Sequence, residues 1–207
     1  MTYKEAGFRA FYHNFVAIPL KDQLKPMLQQ FPDFERANYV LTYGYIDREC
    51  GLTLEVLALA QKNSKGLFSF DPDTTTRAII RIDVVEEDDA LFVSDETGIL
   101  ARRYAEIIES VHDCFDTTEE IEMTREMAFL DSCRDDYYID DVLVILIKDG
   151  LKSEGCWVRI NGLDDHAITG TLLNEPYRDY GCHMDDQISF RVYEAEDGEV
   201  TCYSDLN

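Results

Sequence analysis

Tyr39-Val40-Leu41-Thr42-Tyr43-Gly44-Tyr45-Ile46 and Leu52-Thr53-Leu54-Glu55-Val56-Leu57-Ala58-Leu59 are the runs on which the fold turns. In the first, Tyr39, Leu41, Tyr43 and Tyr45 alternate with Val40, Thr42, Gly44 and Ile46. In the second, Leu52, Leu54, Val56 and Ala58 alternate with Thr53, Glu55, Leu57 and Leu59. A period of two is that of a β-strand, and residues 47–51 supply the polar and glycine positions of a turn, so the pair predicts adjacent strands. Residues 67–70 and 78–85 extend the pattern on either side of the turn-forming Asp71-Pro72-Asp73, and the four strands together predict an antiparallel sheet.

Outward from this sheet the period changes. The first segment, to about Phe34, reads as helical: Leu24, Met27, Leu28 and Phe31 recur at helical spacing, with Pro26 restricting where that helix can begin and Pro32 ending it. Leu100, Tyr104, Ile107, Ile108 and Val111 form a second apolar stripe, expected to lie across the sheet. Thr117 to Glu120 has the T-x-x-E spacing of a capping box and predicts a helix running to about Cys133. The acids that follow Asp116 suit the positive end of that helix. Residues 135–141, Asp-Asp-Tyr-Tyr-Ile-Asp-Asp, read as a solvated connector.

The last third consists of short strand-like runs at residues 142–147, 156–160, 167–173, 187–193 and 200–203. Gly150, Asn161-Gly162, Gly181 and Asp197-Gly198 punctuate them. Short strands with glycine-rich turns predict a small barrel or a strongly bent sheet. The expected class is therefore α+β. Residues 1–116 form an antiparallel sheet with packed helices, and residues 117–207 form a helix followed by a small, β-rich, barrel-like domain.

Charge is the strongest compositional signal. The 207 residues carry 42 Asp and Glu against 19 Lys and Arg, a formal net charge of −23. Acids and bases nearly cancel up to Phe70, acids dominate residues 71–150, and a smaller acidic excess continues to the end. Such a field repels nucleic acid and anionic membrane and attracts cationic partners, although acidity also serves solubility alone. No apolar run reaches bilayer length, and Met1-Thr2-Tyr3-Lys4-Glu5-Ala6 lacks the apolar core of a signal peptide, so the expected compartment is the cytoplasm. Cys50, Cys114, Cys133, Cys156, Cys182 and Cys202 are scattered without a C-x-x-C pair, as expected of reduced thiols used as small hydrophobes.

Gly155-Cys156-Trp157-Val158-Arg159-Ile160 is followed by Ile168-Thr169-Gly170-Thr171-Leu172-Leu173-Asn174-Glu175-Pro176 and by Met184-Asp185-Asp186-Gln187-Ile188-Ser189-Phe190. This order resembles an uncharacterised bacterial domain family that includes the YegJ proteins and is sometimes fused to ankyrin repeats. The family shows a tryptophan-valine strand, a G-x-L-x-N-x-P segment and a Gly-Asp-x-Val-x-Phe strand. Here Asp185-Asp186 stands where the family has Gly-Asp, and Tyr193-Glu194-Ala195-Glu196-Asp197 replaces its closing Ile-x-Asp-Trp. The resemblance covers the final third, implies a small β-rich fold and brings no catalytic residues with it. Read as chemistry, Trp157 or Val158 anchors a core, Asn174-Glu175-Pro176 is a turn, and Gly170 inside a strand marks a bulge or a close backbone approach.

Catalytic patterns are absent: there is no G-x-S-x-G elbow, P-loop or dinucleotide fingerprint. His13, His112, His166 and His183 fall in no metal-ligand spacing, so no metal or cofactor is expected. The aspartate pairs Asp88-Asp89, Asp135-Asp136, Asp140-Asp141, Asp164-Asp165 and Asp185-Asp186 lack calcium-loop spacing and read as turn residues. Tyr137, Tyr138, Tyr177 and Tyr180 lie in predicted loops beside acids, and with Asp140 and Asp141 they form the expected interface. The leading expectation is a non-enzymatic module whose acidic surface docks a basic protein, in the manner of an immunity protein inhibiting a cationic toxin. The alternatives are a hydrolase using Cys182, His183 and Asp186, or an accessory domain without a dedicated partner. The sequence does not set the oligomeric state.

Overall fold

The computed structural model describes residues 1–71, 76–164 and 167–207, and it divides into two units, Met1–Asp116 and Thr117–Asn207. In the first unit, α1 (Tyr3–Ala6) and a 3-10 turn (Phe8–Ala10) precede β1 (Phe15–Pro19). A single helical turn, α2 (Lys25–Leu28), and a 3-10 turn (Phe34–Arg36) lead to β2 (Tyr39–Asp47) and β3 (Gly51–Asn63). Then follow β4 (Gly66–Ser69), β5 (Ile79–Arg81), α3 (Ile82–Val85), β6 (Leu91–Val93), α4 (Ile99–Arg103) and α5 (Ala105–Phe115). The antiparallel sheet runs β4-β3-β2-β1-β6, with β5 paired to β3.

The β2–β3 hairpin forms where the alternation places it. Asp47 closes the turn: its Oδ1 accepts the Glu49 amide at 3.0 Å, and its carbonyl accepts the Cys50 amide at 3.1 Å. A register shift between Leu41 and Thr42 marks a bulge in the pairing. Alternation does not mean one wet face here, because both β2 and β3 are buried along nearly their whole length. The stripe on α4 and α5 covers one side: Tyr104 and Val111 are buried against Leu41, Tyr43, Tyr45 and Leu57, flanked by Leu100, Ile107 and Ile108. Thr42, also buried, satisfies its hydroxyl by donating to the Val16 carbonyl at 2.8 Å.

Several expectations are corrected in this unit. The helix expected in the first segment, to about Phe34, shrinks to short turns and α2, since Pro26 confines its start and Pro32 disfavours helical geometry at Phe31. Leu24, Leu28 and Phe31 are nonetheless buried, while Met27 is exposed. The strand expected at residues 78–85 stops at Arg81. Ile82 and Val85 are buried and Val84 is exposed, which is the spacing of a helical turn. Strand β1 stands where helix was expected; Phe15 to Ile18 are all buried, so the run has no alternation to betray it. The Asp71-Pro72-Asp73 turn lies partly outside the described residues.

The second unit opens with α6 (Glu119–Glu126) and a 3-10 helix (Ala128–Cys133), then continues through β7 (Asp141–Ile147), β8 (Glu154–Leu163), β9 (Ile168–Leu172), β10 (Gln187–Glu194) and β11 (Val200–Asp205). The N-cap is Thr118 rather than Thr117, whose hydroxyl donates to Glu122 at 2.7 Å instead. The five strands close as a barrel in the order β10-β11-β7-β8-β9, antiparallel except for the parallel β11–β7 seam. Val142, Val144, Val158, Ile160, Leu172, Phe190 and Cys202 fill its interior. Val158 points inward and Trp157 is half-buried. At Gly170 a Cβ would stand 2.5 Å from the Arg159 carbonyl oxygen and 2.6 Å from a Val158 methyl, so the expected close approach is present.

The connector at residues 135–141 is not fully solvated. Asp140 is buried, and its carboxylate accepts two bonds from Arg125, Nε at 2.9 Å and an Nη at 2.7 Å, with both side chains almost wholly out of solvent. Arg125 also donates to Glu122 at 2.7 Å. Arg134, buried as well, donates to the carbonyls of Ile139 and Thr124. These bonds tie α6 to the strand that opens the barrel. Removing one partner of a buried pair strands the other charge, so Asp140→Ala is expected to lower unfolding free energy by about 3–5 kcal/mol in chemical denaturation.

Candidate functional site

The expected interface separates into two groups. Asp140 is held by Arg125, and Asp141 is buried against Arg159, with bonds of 2.7 and 3.0 Å. Burial pushes the Asp141 carboxyl up, with Arg159 opposing the shift. Tyr180 is buried too, its hydroxyl donating to the Lys152 carbonyl, and burial raises its pKa. Only Tyr138 and Tyr177, the latter almost fully exposed, and half-buried Tyr137 reach solvent. Residue type and neighbouring charge could not separate these groups, because the carboxylates' partners lie 15 and 18 residues away.

Cys182, His183 and Asp186 do not assemble as a nucleophilic set. The Cys182 thiol is buried, and burial raises its pKa, the reverse of an activated thiolate. His183 turns outward to Glu175, Nδ1 lying 2.8 Å from a carboxylate oxygen, and no hydrogen bond among the described residues joins it to Cys182. Asp186 accepts the His183 backbone amide at 2.7 Å and thereby serves the turn. A shallow depression of about 370 Å³ does touch Cys182 and Asp186, but His183 is not among its lining residues. Asp165 and His166 lie outside the described residues.

Geometry assembles a different cluster in the first unit. Gly44 on β2 has the Phe11 carbonyl oxygen 2.1 Å from where a Cβ would stand. The segment before β1 therefore runs against β2, with the His13 amide donating to the Gly44 carbonyl at 2.8 Å and the Gly44 amide donating to the Asn14 carbonyl at 3.1 Å. His13 takes a left-handed φ of 54°, uncommon outside glycine, and its ring stacks on Tyr12 with centroids 3.8 Å apart. The His13 ring lies 4.7 Å from that of His112 on α5.

His112 is held from both sides. Its Nδ1 lies 2.8 Å from an Asp116 carboxylate oxygen one helical turn on, and its Nε2 lies 3.0 Å from the Tyr43 hydroxyl. The same Asp116 oxygen is 3.9 Å from His13 Nε2. Burial, reinforced by the charge of Asp116, raises the Tyr43 phenol to about 12, so it stays protonated at neutral pH. Donor atoms of His13, His112 and Asp116 all lie within 4.8 Å of one another at a partly exposed surface. The i, i+4 spacing of His112 and Asp116 was legible as one helix face. The arrival of His13 from almost the whole length of the unit away was not.

No protein-family model, curated protein or solved structure matches this chain. No helix among the described residues is long and apolar enough to cross a membrane.

The Glu175 contact, first through its hydrogen bond and then through its charge, raises the His183 pKa above the ordinary 6.5. The contact therefore stabilises the fold fully below pH 6.5, and its contribution is lost as pH rises through the folded-state pKa. In an NMR titration the His183 ring is expected to show a midpoint above 6.5, and Glu175→Gln is expected to move it down.

Proposed function

We propose that the protein is a non-enzymatic binding module whose acidic second unit docks a basic protein partner, as an immunity-type inhibitor docks a cationic toxin. The observation that carries this reading is the charge balance of residues 117–207, with 22 Asp and Glu against 7 Lys and Arg. Burial removes both signs alike, Arg125 and Arg134 against Asp140 and Asp141, so the acidic excess is carried at the surface. The β10–β11 hairpin concentrates it: Glu194, Glu196, Asp197 and Glu199 are all exposed, beside exposed Tyr193. An aromatic side chain amid carboxylates suits a contact in which charge steers approach and ring area holds the complex. The buried Cys182 and outward His183 speak against the hydrolase alternative.

The test starts from a basic protein retained from native lysate at low salt and released at high salt. Its association rate with the purified chain is then measured across a salt series. Steered association falls steeply as salt rises, and replacing the four hairpin acids by Gln and Asn is expected to slow it by about 10-fold or more. Affinity indifferent to both salt and these substitutions would remove the proposal, and the absence of any retained partner would favour an accessory role.

A further inference from the structure

We propose that His13, His112 and Asp116 form a binding site for a divalent first-row transition metal of the zinc type, independent of the acidic docking surface. The argument rests on donor chemistry and spacing. Two imidazoles and one carboxylate are a donor set suited to zinc and its neighbours. Donors about 2.0–2.1 Å from one tetrahedral ion stand roughly 3.3 Å apart. The two contacts of the Asp116 oxygen, 2.8 Å to His112 and 3.9 Å to His13, bracket that spacing. With all three donors within 4.8 Å of one another, side-chain rotations would bring them onto one ion. Three protein donors leave at least one coordination position for water or an anionic ligand.

The surroundings fit a ligand set. Metal-bound imidazoles usually place their second nitrogen against a hydrogen-bond partner, which fixes the tautomer and ring orientation. Tyr43 lies at that position on His112 Nε2. A hydroxyl either donates or accepts, so two arrangements are open to the pair. In one, His112 Nδ1–H donates to Asp116 and the Tyr43 hydroxyl donates to Nε2. In the other, Nδ1 offers its lone pair to the metal and Nε2–H donates to the Tyr43 oxygen. Metal binding selects the second and turns Asp116 from the acceptor of the His112 proton into a fellow ligand. The third donor is set by the backbone: the close approach at Gly44 and the left-handed His13 fix where that ring stands.

The probes are Co²⁺, for its visible spectrum, and Zn²⁺ as competitor. They are titrated into the full chain carrying Cys50→Ser and Cys114→Ser, because these two cysteines are exposed. One equivalent of Co²⁺ is expected to saturate d–d bands free of sulfur charge transfer, and Zn²⁺ to bleach them. His13→Asn keeps a residue that tolerates the left-handed backbone, and Asp116→Asn alters a largely exposed side chain, so both are expected to fold, as circular dichroism would verify. Each should weaken binding by more than the roughly 10–100-fold that losing an outer partner costs, whereas Tyr43→Phe should fall within that range. Long-range nitrogen NMR should place the His112 proton on Nε2 when zinc is bound. Absence of one-equivalent binding, or binding that survives either His13→Asn or Asp116→Asn, overturns the assignment. Both results are independent of whether a basic partner docks.

Discussion

In the first unit the constraint on which most else depends is a missing side chain. With no Cβ at position 44, the carbonyl of Phe11 comes against β2 where any other residue would collide with it. That contact fixes the path of the chain before β1, and so the entry of β1 between β2 and β6. It also sets the His13 ring beside His112 and Asp116. Packing of α4 and α5 on Leu41, Tyr43 and Tyr45 supplies the opposite constraint, carrying His112 to the Tyr43 hydroxyl. A sheet residue, a helix residue and a loop residue thus meet because two unrelated packing requirements are met at once.

In the second unit the corresponding role falls to charge. A barrel this small fills its interior with Val, Ile and Leu and leaves little room for polar anchors. Arg125, Asp140, Arg159 and Asp141 are placed at one end of it, where β7 begins, and each carboxylate takes two bonds from its arginine. The Arg125–Asp140 pair holds α6 to the start of β7, while Arg159–Asp141 joins the facing residues of β8 and β7.

The elements best read from sequence were those whose burial has a simple period. The β2–β3 hairpin, the stripe from Leu100 to Val111 and all five barrel strands follow from alternation, helical spacing and glycine punctuation. The unexpected β1 is buried on both faces, and the short helix at Ile82 to Val85 hides at the end of a strand-like run. The candidate sites were less legible for a different reason. Asp140, Asp141 and Tyr180 have the composition of a surface and the surroundings of a core, because Arg125, Arg159 and the Lys152 carbonyl reach them from elsewhere in the chain. Conversely, His13 and His112 look unrelated until the sheet and the helix are both in place.

The parallel seam between β11 and β7 has a kinetic corollary. Every other neighbouring pair in the barrel can zip from a connection within the same antiparallel run, but this seam joins the first barrel strand to the last, Val144 to Cys202. Closing so long a loop must precede the reward of the contact, which slows folding of topologies dominated by distant pairings. Until that seam closes, the edges of β7 and β11 present unpaired amides and carbonyls, a template for pairing with another chain. The dense negative charge of the β10–β11 hairpin sits beside that temporary edge, where mutual repulsion between copies would keep half-closed barrels apart while the last strand finds its place.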